Sequence, residues 1–378
     1  MKKCFAVLFV LIMATLCCIP TSAKDGADLI STDEWHNFAE SLPDELRDDI
    51  FDGEISDSEG YGEEVVEKVG IKYVFSKLLE TLSLEWGSVA KLFFSILALL
   101  ILSAVFNAAS SSFSNDSLTS AVRFCSTGAI FAVIVYTQYT HFERIEMFFD
   151  SLGTLMRAMI PMTAGIWAMG GNVSTASVGS ASFFVMLSVC EELLRNSVVP
   201  VCCVMSVLGL CDAMSDEMKT GRLLGAIKKI YAFFLGIIMT LLLSSLSAQT
   251  AIAAAADTAS ARTARMLSGT VIPVVGGSVG ETLRTVYGGV AYLKTVFGVG
   301  GIVMIACLLL PVGVSVLLTR LVFLMSGGLA ELLGCGNEAR FLSNLGEIYG
   351  TMLAVISGVS VMFILALCIF MQTVVAVM

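Results

Sequence analysis

Between residues 286 and 325 only Lys294 and Arg320 carry charge. A helix that crosses a bilayer needs about 20 mainly apolar residues, and this run exceeds that around Pro311. A helix on a soluble domain would keep a polar face toward water, and here there is none. Further apolar runs occupy 89–109, 122–139, 230–250 and 350–377. Two shorter ones, 173–190 and 198–211, lie close together. Two are interrupted: 147–169 by Arg157, Pro161 and two glycines, and 271–279 by Pro273 and glycines. Backbone polar groups in lipid must be satisfied within the protein, which leaves helices or closed barrels. The runs have helix length, so the fold class is all-α: a polytopic integral membrane protein with an internal repeat and a small acidic N-terminal helical segment. Charged residues make up only 14% of the 378 positions, against about 25% in soluble domains.

The polar remainder is concentrated at the N-terminal side. Lys2 and Lys3, an apolar core over 5–16 and the small residues Ser22 and Ala23 after Pro20 read as a signal peptide spanning 1–23. Residues 24–85 hold 18 Asp or Glu and 5 Lys or Arg, a net of -13, while the whole chain carries -10. Such a segment suits neither nucleic-acid phosphates nor anionic lipid. The reading is an acidic extracytoplasmic helical segment over 24–86 and a membrane domain over 87–378. Ser31 with Glu34 has the capping-box pattern. A second helix is expected from Glu63 to Glu85, with Tyr73, Leu78 and Leu82 near its apolar face and Trp86 as an interfacial anchor. The eight cysteines beyond the signal lie almost all in apolar runs and read as small buried hydrophobes.

The second half of the chain repeats landmarks of the first. Met159-Ile160-Pro161-Met162 matches Val271-Ile272-Pro273-Val274, and Val199-Pro200-Val201 matches Leu310-Pro311-Val312. Gly221-Arg222-Leu223-Leu224 matches Ala339-Arg340-Phe341-Leu342, and a tyrosine (Tyr231, Tyr349) follows each arginine by nine residues. The offsets are 112, 111 and 118 residues, and the units cover 150–250 and 262–378. Paired, proline-broken segments of this kind occur in transporters, where non-helical backbone at membrane depth lines a cavity. The plainer alternative is that Pro200 and Pro311 each start a helix.

Chemistry-bearing motifs are scarce. There is no phosphate-binding G-x-x-x-x-G-K-[ST] loop. The only histidines are His36 and His141, too few to support a His-based metal site or catalytic triad. Glu191 and Glu192 point about 100° apart on a helix and read as the polar end of a short span beside Arg195. No catalytic, metal or cofactor-binding residues are assigned. Charges in or beside apolar runs mark pathways or buried pairs unless they snorkel to the surface. The stretch from Asp257 to Arg265 stands out, because it follows small residues at four-residue spacing (Ala251, Ala255, Ala259) that allow close helix approach. The same spacing recurs at Gly350, Ala354 and Gly358. The candidate pathway or packing residues are therefore Arg262, Arg265, Asp257, Glu281, Pro161 and Pro273.

The run Ala261-Arg262-Thr263-Ala264-Arg265, with Gly269 and Ile272-Pro273-Val274-Val275-Gly276, resembles the signature region of the stage III sporulation protein AE family. Ile160-Pro161-Met162 followed by Gly170-Gly171-Asn172-Val173-Ser174-Thr175-Ala176 resembles it too, as does Val199-Pro200 through Leu210 with the polar segment after it. The resemblance covers about 90 to 378. It implies a multi-pass protein of the mother-cell membrane around the forespore. It also implies a channel or feeding apparatus shared with the other stage III sporulation A-operon proteins and stage II sporulation protein Q. It implies no catalytic residues and no cofactor.

The expected function is thus a membrane subunit of a sporulation channel, with the lipid bilayer and protein subunits as partners, no nucleic acid, and energy from an ATPase on another chain. The rival is a self-sufficient secondary transporter, for which the repeat argues; a membrane enzyme is a third class. A topological conflict remains in the sequence. Signal cleavage places residue 24 outside, whereas Lys219, Arg222, Lys228 and Lys229 favour the cytoplasm. Four spans between them put that loop outside, and one further crossing by 147–169 would reconcile the two.

Overall fold

The computed structural model describes the backbone of residues 71–110, 116–169, 180–214, 220–271 and 276–372. The side chains of 160–169, 256–271 and 276–297 lie outside that description. All secondary structure among the described residues is helical. The described residues form six helices: α1 (Ile71–Ser110), α2 (Asp116–Met169), α3 (Ser180–Met214), α4 (Gly221–Val271), α5 (Gly276–Leu332) and α6 (Gly336–Gln372). Five contain stretches long and apolar enough to cross a membrane: Val74–Ala109, Val185–Met214, Gly221–Ser245, Gly300–Leu332 and Gly336–Cys368.

Several expected breaks are absent. The runs 122–139 and 147–169 belong to one helix, α2, so 147–169 is not a separate segment that adds a crossing of its own. The runs 173–190 and 198–211 meet inside α3, and Pro200 sits in its interior rather than at its start. Pro311 is likewise interior to α5. An interior proline leaves one carbonyl unbonded, which packed neighbours make tolerable at membrane depth. On the N-terminal side, α1 runs unbroken through Trp86 and Gly87. Its inward positions there are Val74, Leu78, Thr81 and Glu85, one helical turn apart, whereas Leu82 faces outward. The signal and the capping box at Ser31 lie outside the described residues.

The helices pack in three consecutive pairs, α1 with α2, α3 with α4 and α5 with α6. The α5–α6 turn closes on Gly334, whose φ of 76° suits a residue without Cβ. Cys335 N–H donates to the Ala330 carbonyl (2.9 Å) and Gly334 N–H to that of Glu331 (3.1 Å), the paired bonds of a Schellman ending. At the α3–α4 turn, Asp212 Oδ1 accepts from Gly221 N–H at 2.6 Å and so caps α4. Arg340, just past the α5–α6 turn, donates to the Asp212 carbonyl (3.4 Å). Ser103, near the end of α1, bonds Glu338 in the first turn of α6.

The α5–α6 pair is the centre. Residues 301–310 of α5 are buried on every side, the pattern of a helix with no solvent face. α1 and α2 pack on α5, α3 and α4 pack on α6, and α2 also reaches α3 and α6. Tyr349, Phe149, Phe323, Phe341 and Phe363 are its largest wholly buried side chains. Glycines permit the close approaches: a Cβ at Gly301 would meet Met159 of α2 and Leu367 of α6 at 2.9 Å.

Candidate functional site: polar groups among apolar helices

The bundle holds two sets of polar groups at depths where its neighbours are apolar. The first is internal. Arg144 of α2 reaches Glu85 of α1 at 2.6 Å and Ser315 of α5 at 3.0 Å. Ser315 Oγ lies 3.3 Å from His141 Nδ1, and Thr319 Oγ1 lies 3.1 Å from His141 Nε2. Arginine can only donate, so Ser315 accepts from Arg144. Both ring nitrogens of His141 thus meet hydroxyls of α5, each as donor or acceptor according to the ring's tautomer. His141 also stacks edge-on against Tyr349 (centroids 5.4 Å), which stacks in turn on Phe323 (5.0 Å). One turn earlier on α2, Gln138 donates to Ser206 of α3 at 2.9 Å. Nearer the turns, buried Glu338 accepts hydroxyls from Ser103 and Ser126, and its place in the first turn of α6 suits a negative charge.

The second set is on the surface. Tyr136, Glu143, Glu146, Asp150, Thr154 and Arg157 of α2 are all exposed, at spacings of three, four or seven that place them on one helical face. The opposite face, from Ile134 through His141, Ile145 and Leu152 to Met159, is buried. Asp150 pairs with Arg195 of α3 at 2.7 Å, and Arg157 donates to Thr154 at 3.2 Å. Beside them Glu191 is buried against Gly153, where any Cβ would stand 2.6 Å from the carboxylate. Glu192 turns away and accepts from Asn196.

The depth of this stripe follows from two contacts. Arg144 touches Ser315, and Met159 touches Gly301. The α2 stretch 144–159 therefore runs alongside 301–315 of α5, the centre of the longest apolar run. A carboxylate facing lipid at a helix centre costs about 2.5–3.5 kcal/mol. That cost applies where the helix stands in lipid; Asp150 meets it in part through Arg195, and α2 is not among the helices with a stretch long and apolar enough to span a membrane.

Of the candidates read from sequence, Arg262, Arg265 and Asp257 lie on α4, Glu281 on α5 and Pro161 on α2. Their side chains, and Pro273 altogether, lie outside the described residues. Sequence reasoning passed over Arg144, Glu85, Glu338 and the α2 stripe, and set His141 aside. The stripe has a signal that could have found it: charges at 143, 146, 150 and 157 keep helical phase. Arg195 is beside Glu191 as expected but spends its charge on Asp150. Cys190, Cys202, Cys307 and Cys335 are buried as expected, whereas Cys125 and Cys203 face outward.

The sequence pattern of the stage III sporulation protein AE family matches residues 61–374. The chain belongs to that family. Stage III sporulation protein AE of Bacillus subtilis (strain 168) is 24% identical over 220 residues, 58% of this chain and 55% of the relative. The chain thus spans about half the length of that curated relative. No solved structure matches it. The family is named for sporulation, and its match accompanies five helices long and apolar enough to span a membrane. The family match also extends over the arginine pair and both proline-broken segments.

Proposed function

We propose that this stage III sporulation protein AE family member is a membrane subunit of a channel or feeding apparatus between mother cell and forespore. It sits in the mother-cell membrane around the forespore and is needed for forespore development. The observation that supports this most is the family match over 61–374, taken with apolar helices of membrane-spanning length that pack polar groups between them. A subunit that lines or closes a polar path needs both features. Its partners are the other stage III sporulation A-operon proteins and stage II sporulation protein Q. Drive comes from an ATPase on another chain, since the sequence carries no phosphate-binding loop of its own.

Deletion in the spore-forming host, with complementation by the wild-type chain, tests the reading. The deletion strain should engulf the forespore and then arrest, and a tagged chain should co-purify with the partner proteins from sporulating cells. Normal spore yield in the deletion strain would refute it. Gradient-driven uptake by the purified chain alone in vesicles would replace it with the secondary-transporter reading.

A further inference from the structure

The outer face of α4 changes from basic to apolar at a single residue. We propose that Arg222 and Lys229, with the apolar face that follows them, bind an anionic phospholipid. Its phosphate lies between the two cations, and an acyl chain runs along Phe233 and Ile237. The site depends on the fold of α4 and not on the channel reading.

α4 holds one of the five stretches long and apolar enough to cross a membrane, Gly221–Ser245. Its inward positions, Leu224, Tyr231, Ile238 and Leu242, are buried, and Tyr231 bonds Ser197 of α3 at 3.1 Å. The opposite side carries Arg222, Ala226, Lys229, Phe233 and Ile237, all exposed, at steps of three and four that keep them on one face. Gly236 beside them has no heavy atom within 4 Å of where a Cβ would stand. The described helices therefore leave this side open.

After Lys229 the next charged residue is Asp257, so the hydrocarbon layer begins at Ile230 and Lys229 stands at its edge. Arg222 lies two turns nearer water, about 10 Å along the axis. Helical side chains tilt toward the N-terminus, so Lys229 leans toward Arg222 and both reach the headgroup layer between them. The neighbouring charges are already engaged. Lys228 pairs with Glu347 at 3.0 Å, and Asp212 Oδ1 accepts from Gly221 N–H at 2.6 Å. Neither Arg222 nor Lys229 forms an ion pair with another described residue. The apolar outer face of α3 has no such pair of cations, since its Arg195 bonds Asp150 at 2.7 Å. An acidic protein would satisfy the cations but not the apolar residues beyond them. A phospholipid satisfies both, with phosphate for the guanidinium fork and acyl carbon for Phe233. The basic residues favour the cytoplasmic leaflet, where anionic lipid is found.

The test places the full chain in nanodiscs of equal phosphatidylglycerol and phosphatidylcholine, and native mass spectrometry counts the lipids it keeps on release. Each cation near an anionic surface strengthens binding about fivefold, so the wild type should keep phosphatidylglycerol over phosphatidylcholine by at least about fivefold. Arg222→Gln with Lys229→Gln should bring the ratio close to one. Lys91→Gln, which removes an exposed cation from α1, should leave it unchanged. Phe233→Ala should lower the amount of phosphatidylglycerol kept. Equal retention of the two lipids by the wild type, or an unchanged ratio in the double Gln variant, overturns the site. Excess inorganic phosphate should not displace the lipid; displacement would assign the cations to a soluble anion and overturn the lipid reading. Both residues are exposed, so the double variant should accumulate. Where it does not, the single Gln variants should each lower the ratio, and Arg222→Lys with Lys229→Arg should keep it; single variants that leave it unchanged overturn the proposal. A chain that keeps the lipid but is dispensable for sporulation retains this site and refutes the proposed function; a required chain without the preference does the reverse.

Discussion

Replacing His141 separates two contributions that meet in one side chain. His141→Phe keeps a ring against Tyr349 but removes the bonds to Ser315 and Thr319. Interhelical hydrogen bonds in membrane proteins average about 0.6 kcal/mol and reach about 1.7, so two lost bonds cost about 1–3 kcal/mol. Part of this is recovered, because serine and threonine on a helix can turn back to a carbonyl of their own preceding turn. His141→Ala removes the same bonds, opens a cavity beside Phe323 and Tyr349, and loses the edge-on contact. Large-to-small changes in packed cores cost about 2–5 kcal/mol, and the aromatic pair adds about 0.5–1.5. The Ala variant should therefore be less stable than the Phe variant by at least about 2 kcal/mol. Reversible unfolding in mixed micelles, followed by the fluorescence of Trp86, measures the difference. Equal stability of Phe and wild type would refute the hydrogen-bonding account, and equal stability of Ala and Phe would show that the Tyr349 contact contributes nothing.

Other expectations follow from the same geometry. Glu338→Leu should destabilise the turn end by about 1–3 kcal/mol, because Ser103 and Ser126 lose a buried acceptor, and loss of protection should show first in hydrogen exchange of the α1–α2 and α5–α6 ends. Gly153→Leu should displace Glu191 and lower accumulation in the membrane, read by immunoblot, whereas Gly236→Leu, with open space around it, should not. Arg222→Cys should resist impermeant thiol reagents applied outside, because Arg222, Lys228 and Lys229 favour the cytoplasmic side; strong outside labelling would reverse the orientation. Arg262→Ala with Arg265→Ala should abolish sporulation while the protein still accumulates, and the double Lys variant should be intermediate, since lysine keeps charge but not the planar fork. Full activity of the double Ala variant would leave these residues as anchors.

Apolar run length was enough to read the class, because a bilayer sets helix length directly. Where runs join was not legible. Residues 140–146 and 191–197 look like loops because they are polar, yet they continue α2 and α3. Polarity signals a break only if the alternative is lipid, and these residues instead meet other helices or an open face. The proline signal misled for a related reason: Pro200 and Pro311 are tolerated inside helices by packing that sequence does not display. Long-range pairs such as Ser103 with Glu338, 235 residues apart, leave no local trace at all.

The joins change the count behind the conflict of orientation. Five crossings before the basic loop 219–229 would satisfy the positive-inside rule, and so would three. Of the three helices before that loop, α1 and α3 hold stretches long and apolar enough to span a membrane, so the rule is met when α2 crosses as well. Arg222 then lies on the cytoplasmic side, with Arg340 beside it near Asp212.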